Sequence, residues 1–172
     1  KDTSYYFPII YVLKIIEKNR EIKFDFLDNP NDSIITWDHE NESSQVIAID
    51  FYNCFNSDYE SLKHKNIFTS SPNIVDNNGK VDAIATIFYM INSLQELKPD
   101  DADLDGLGRF KYSSSYQSRF NNVKDNLVEN IINDFCKIHS ISGKKSKSVF
   151  FISHDIDNLY GSIFEDGLWA LK

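Results

Sequence analysis

The sequence predicts an α/β fold, with helices and short strands layered around one core. Three observations lead there. Residues 7–18, 81–98 and 122–138 repeat apolar side chains at helical spacing, and shorter alternating or apolar runs lie between and after them. The 172-residue chain is 41% hydrophobic and 14% aromatic, a globular composition that can bury one sizeable core, or one core and the start of a second domain.

The first helix, 7–18, places Ile9, Val12, Leu13 and Ile16 on one stripe, with Pro8 tolerable in a first turn. Residues 21–27 then alternate, with Ile22, Phe24 and Phe26 on one side and Lys23 and Asp25 on the other, which reads as a half-buried strand. A turn at 28–32 leads to a short strand at 34–37, a polar loop at 39–44 and another strand at 45–51. Residues 59–64 suggest a short helix and 66–69 a strand. Asn77-Asn78-Gly79 marks a turn before the clearest helix, 81–98, whose apolar face is Ile84, Ile87, Phe88, Ile91 and Leu94, and which Pro99 ends. A Gly- and Asp-rich loop follows, and then a helix at 122–138 with the stripe Val123, Leu127, Ile131, Phe135 and Ile138. Residues 141–147 have the composition of a linker, so the expected division is a domain at 1–140 and a second unit from 148, opening on the apolar run 148–152. No internal repeat is visible.

A net charge of −8 argues against a phosphate-collecting surface, and no nucleic-acid partner is expected. Lys144, Lys145 and Lys147 form the nearest basic cluster, read as a solvated linker. Cys54 and Cys136 lie far apart without metal spacing, so no disulfide framework is expected. No stretch has the apolar length of a transmembrane helix, and the chain starts at Lys1 without a signal peptide. The expectation is a fragment of a bacterial cytoplasmic protein.

Asp101, Asp103, Asp105 and Gly106 invite a calcium-loop reading, but Tyr112 stands where such a loop requires a bidentate Glu, and a solvent-exposed turn is the better account. The histidines at 39, 64, 139 and 154 include no His-x-x-x-His pair; His139 is read as complementing a helix C-terminus. Ser153, His154 and Asp155 are neighbours on extended chain and cannot form a hydrogen-bonded triad. Asp155 and Asp157 are different. Two apart after the apolar run 148–152, they share a face if a strand continues through them, so one could ligate a metal while the other acts as a base. Equally, Asp157 or Asn158 could cap a helix over 159–170.

The run Phe151-Ile152-Ser153-His154-Asp155-Ile156-Asp157 resembles the first motif of the polysaccharide deacetylase (NodB-like, carbohydrate esterase 4) family. The preceding residues resemble an α/β domain found before some of these deacetylases, through Asp82, Ala85, Phe88, Tyr89, Gln95, Glu96, the 105–110 turn and Tyr116. The resemblance implies a layered N-terminal α/β domain followed by the first strand and helix of a truncated (β/α) deacetylase barrel. It also implies metal-dependent hydrolysis of an N-acetyl group on a carbohydrate, with Asp155 as general base, Asp157 as ligand to a divalent metal, usually zinc, and most of the site beyond Lys172. On that reading the 172-residue chain alone is inert. The rival expectation is a non-catalytic module that binds a carbohydrate or a pathway partner, using aromatics such as Tyr5, Tyr6, Trp37, Tyr52, Tyr59, Tyr112 and Tyr116.

Overall fold

The computed structural model describes residues 6–26, 47–57, 59–68 and 71–144. Helix α1 spans Tyr6–Arg20 and buries the expected stripe of Ile9, Val12, Leu13 and Ile16. It stops at Glu21, whose φ of 54° turns the chain so that the Ile22 N–H reaches the Glu17 carbonyl at 3.1 Å. This left-handed closure recurs at Ser140, where the Ile141 N–H reaches the Cys136 carbonyl at 2.8 Å. Neither residue is the usual Gly, so each accepts a small steric cost to satisfy a terminal carbonyl.

Helix α2, Ile49–Ser57, is followed by a 3₁₀ turn at Tyr59–Leu62 and the short α3, His64–Ile67. Helix α4, Ala83–Ile91, is the centre of the fold: Ile84, Ala85, Thr86, Ile87, Phe88 and Tyr89 are consecutive and all buried. A helix apolar on every side belongs inside a core. α4 packs against α1 and against α6, Leu127–Ile138, with the short α5, Tyr116–Phe120, arriving between them in sequence. Arg20 at the end of α1 crosses to α6, donating to Glu129 Oε1 at 3.1 Å and Asn133 Oδ1 at 2.6 Å. The rings of Phe51, Phe68, Tyr89, Tyr116 and Phe120 continue the core beside α4 in edge-on and tilted contacts.

The α/β expectation is corrected. Among the described residues there is no β-strand, only isolated antiparallel bridges at Val75–Val81 and Leu104–Phe110, and the domain is helical. Residues 22–26 pair with no strand among the described residues, and the Phe24 N–H is taken by the Glu17 carboxylate at 2.7 Å. Of the strand expected at 45–51, residues 49–51 are the start of α2, 47–48 lead into it and 45–46 lie outside the described residues; α3 occupies the expected strand at 66–69 as far as Ile67. The expected helix at 81–98 is shorter: left-handed Ser93 breaks it, and a 3₁₀ turn follows at Leu94–Glu96. α6 begins at Leu127 rather than 122, leaving Val123 and Ile138 exposed at or beyond its ends. With no strand–helix layering in the described part, the barrel continuation also loses its support. The strand expected at 34–37, the run 148–152 and the helix at 159–170 lie outside the described residues.

Candidate functional site

The carboxylate with the most perturbed surroundings is Asp82, fully buried at the N-terminus of α4. Its backbone is extended, so its side chain can turn back over the open helix end and accept from the Ala85 N–H at 2.8 Å. Its other oxygen accepts from the Ala48 N–H at 2.9 Å and the Tyr52 hydroxyl at 3.2 Å, fixing the entry to α2 from 34 residues away. The Asp82 N–H donates to the Ile74 carbonyl, and the Thr86 hydroxyl links the Asp82 carbonyl to the Ile74 N–H. Burial pushes the carboxyl pKa up to about 6, against the pull of these donors.

A perturbed carboxylate often marks catalysis, but it must reach a substrate to act. A shallow depression lies nearby between 47–50 and 75–77, and Asp82 does not line it. Both its oxygens are engaged inside the fold. Asp82 therefore organises structure.

Two loops share a plan that the sequence did not reveal. In each, an Asp side chain accepts backbone N–H groups two and four residues ahead, a left-handed Gly sits three ahead, and a basic residue follows it. Asp76 receives Asn78 and Lys80 at 2.9 and 2.8 Å, with Gly79 at φ 77°. Asp105 receives Leu107 and Arg109 at 2.8 and 3.0 Å, with Gly108 at φ 76°. The signal is Asp-x-x-Gly-Lys or Asp-x-x-Gly-Arg between apolar residues, too short to register as a repeat. Asp105 is further neutralised by its own Arg109 side chain at 2.8 Å, which agrees with a turn rather than a calcium cradle.

Residues that carried the family resemblance converge around α4. Asp82, Ala85, Phe88, Tyr89 and Tyr116 are buried, and Gln95 accepts from the Tyr116 N–H at 2.7 Å while donating to Gln117 at 3.2 Å, whereas Glu96 and most of the 105–110 turn are exposed. The Tyr116 hydroxyl donates to the Pro72 carbonyl at 2.6 Å. Of the aromatics considered for sugar stacking, Tyr52 and Tyr116 are core residues, whereas Tyr6 and Tyr112 are exposed; Tyr5 and Trp37 lie outside the described residues. His139 packs against Phe135, and burial pushes its imidazole pKa down.

Asp155 and Asp157 lie outside the described residues. Among the described residues no group of three or more His, Cys, Asp or Glu side chains is placed to hold a metal ion, and no helix is long and apolar enough to cross a membrane. A model of a family of unknown function, DUF7033, matches residues 4–140. Searches of curated proteins and of solved structures gave no match.

Proposed function

The chain belongs to the DUF7033 family, and we propose that its helical domain is a non-catalytic module carried by a polysaccharide deacetylase-like hydrolase. In this reading the chemistry belongs to Asp155 and Asp157, and the substrate class is an N-acetylated carbohydrate. The observation that carries it is the fate of Asp82. The one strongly perturbed buried carboxylate of the described domain has both oxygens bound within the fold, and Tyr116 and Gln95 are likewise engaged internally. The buried residues behind the resemblance to a deacetylase-associated domain are thus packing residues, which suits a scaffold.

Asp155 would take the proton of the attacking water, as a general base must, and Asp157 would be this chain's contact to a divalent metal. When bound, such a metal would polarise the acetamide carbonyl.

In the intact protein, Asp155→Ala is expected to lower acetate release from an N-acetylated oligosaccharide by about 100-fold or more, with the far-UV circular dichroism unchanged. Unchanged turnover removes the assignment.

A further inference from the structure

The side of α1 that faces away from the core carries an aromatic ridge. At about 100° per residue, Phe7, Tyr11, Lys14 and Lys18 fall in one narrow wedge, opposite the buried stripe of Ile9, Val12, Leu13 and Ile16. Phe7 is 69% exposed and Tyr11 39%, and their rings stack with centroids 6.1 Å apart, Tyr11 also meeting the core ring of Phe88 edge-on at 5.8 Å, so the ridge is anchored at the rim of the core. Tyr6, 61% exposed, lies about 100° around the helix from Phe7 and outside this wedge. Phe26, 50% exposed, extends the ridge from the coil that follows α1, with Lys14 Nζ 5.9 Å from its ring centre. Scattered exposed apolar residues need no explanation; Phe7 and Tyr11 on the helix, with Phe26 on the coil that follows it, gather into one patch and mark an interaction surface.

The path of the chain points to what covers it. Ile141 packs against the core, and at Gly143 the backbone crosses the end of α1 so closely that a methyl group there would come within 2.5 Å of the Arg20 carbonyl oxygen and 2.8 Å of Ile22 Cγ2. The chain therefore leaves this domain at the end of α1, beside the coil that carries Phe26. Eight extended residues reach about 26 Å, while the 15 residues of α1 are about 22 Å long.

We propose that the ridge of α1 is the docking face for residues 148–172 of the same chain. That segment brings Val149, Phe150, Phe151 and Ile152, then Leu159, Tyr160, Phe164 and Trp169, apolar surface that needs a partner. Its charge is complementary. It holds four acids, Asp155, Asp157, Glu165 and Asp166, and one lysine, whereas the ridge wedge of α1 carries Lys14, which also pairs with Glu17, and Lys18, and no acid. The helical module is thus tied by contact, as well as by covalent linkage, to the segment with the deacetylase-like motif. The docking extends the proposed function without depending on its chemistry: acetate release tests Asp155, and amide exchange tests the docking.

The experiment is hydrogen exchange of the full chain, followed by mass spectrometry. In the double variant Phe7→Ser/Tyr11→Ser, peptides covering 148–152 are expected to exchange about tenfold faster, while peptides from α4 keep their protection. Lys14→Glu/Lys18→Glu supplies a second variant that leaves the aromatic rings in place and is expected to act in the same direction. Unchanged exchange at 148–152 in folded samples of both variants overturns the proposal. So does a concentration-dependent dimer that the Phe7→Ser/Tyr11→Ser change dissolves, or saturable oligosaccharide binding that it abolishes, since either would give the ridge a different occupant.

Discussion

Asp82 and Asp100 each join distant parts of the chain, in opposite electrical surroundings. Asp82 is buried, bound to two backbone N–H groups and one hydroxyl, with no cation among its hydrogen-bond partners, and its carboxyl pKa rises to about 6. Asp100 has a side chain 45% exposed, accepts from Lys63 and Lys65, and the two ammonium groups pull its pKa down to about 2. Lys63, itself buried, also pairs with Glu60 at 2.6 Å. One carboxylate is held by directed bonds that define a position; the other is held by charge at the surface. The first should be indispensable to the fold and indifferent to salt, the second dispensable and screened.

The largest effect that can break this contrast is Asp82→Ala. It removes the cap of α4 and leaves the buried Ala48 and Ala85 N–H groups without their acceptor, a loss of about 3 kcal/mol. Urea unfolding checks it. Asp100→Ala is expected to destabilise much less, and its effect should shrink as sodium chloride is raised, while that of Asp82→Ala stays constant. Equal losses for the two variants would mean that burial does not distinguish the anchors.

Acid titration sharpens the same contrast, because the two groups contribute with opposite signs. For Asp82 the folded pKa of about 6 lies above the ordinary 3.8, so the folded state holds the proton more tightly. Its contribution is therefore greatest below the ordinary pKa and is lost as pH rises through about 6, a change of about 3 kcal/mol for a shift of about two units. For Asp100 the folded pKa lies below the ordinary value, so its contribution is present above the ordinary pKa and lost as pH falls towards about 2. Relative to the wild type, Asp82→Asn should flatten the decline in stability between pH 4.5 and 7, and Asp100→Asn the decline below pH 4. Unfolding free energies measured at pH 3, 4.5 and 7 decide between these expectations.

Much of the helical core was legible in the sequence because the stripes of α1, α4 and α6 repeat at helical spacing over several turns. The strands were misread for a definable reason. Ile47, Ala48 and Ile49 form a short apolar run that periodicity cannot assign to strand or helix, and the deciding contact is Asp82 holding the Ala48 N–H. Ile22, Phe24 and Phe26 alternate as a strand would, but a strand needs a partner, and Glu17 takes the Phe24 N–H instead. Phe7 and Tyr11 lay off the apolar stripe of α1, a departure readable in the sequence but without meaning until the core was placed. Asp82 was singled out by resemblance; its burial depends on α2 folding over it, which no local pattern encodes.

Two tyrosines give the finest test of how Asp82 is held. The Tyr52 hydroxyl donates to the Asp82 carboxylate, whereas the Tyr89 hydroxyl is equally buried and has no hydrogen-bond partner among the described residues. Tyr52→Phe removes a donor that favours the charged carboxylate, so it should cost about 1 kcal/mol near pH 7. It should also push the Asp82 transition to higher pH. Tyr89→Phe removes only a hydroxyl desolvated without compensation, so it should leave stability unchanged or raise it slightly. If instead both changes cost the same, and the pH transition is unmoved by Tyr52→Phe, the hydroxyl contributes only packing, and Asp82 is fixed by the two backbone N–H groups alone.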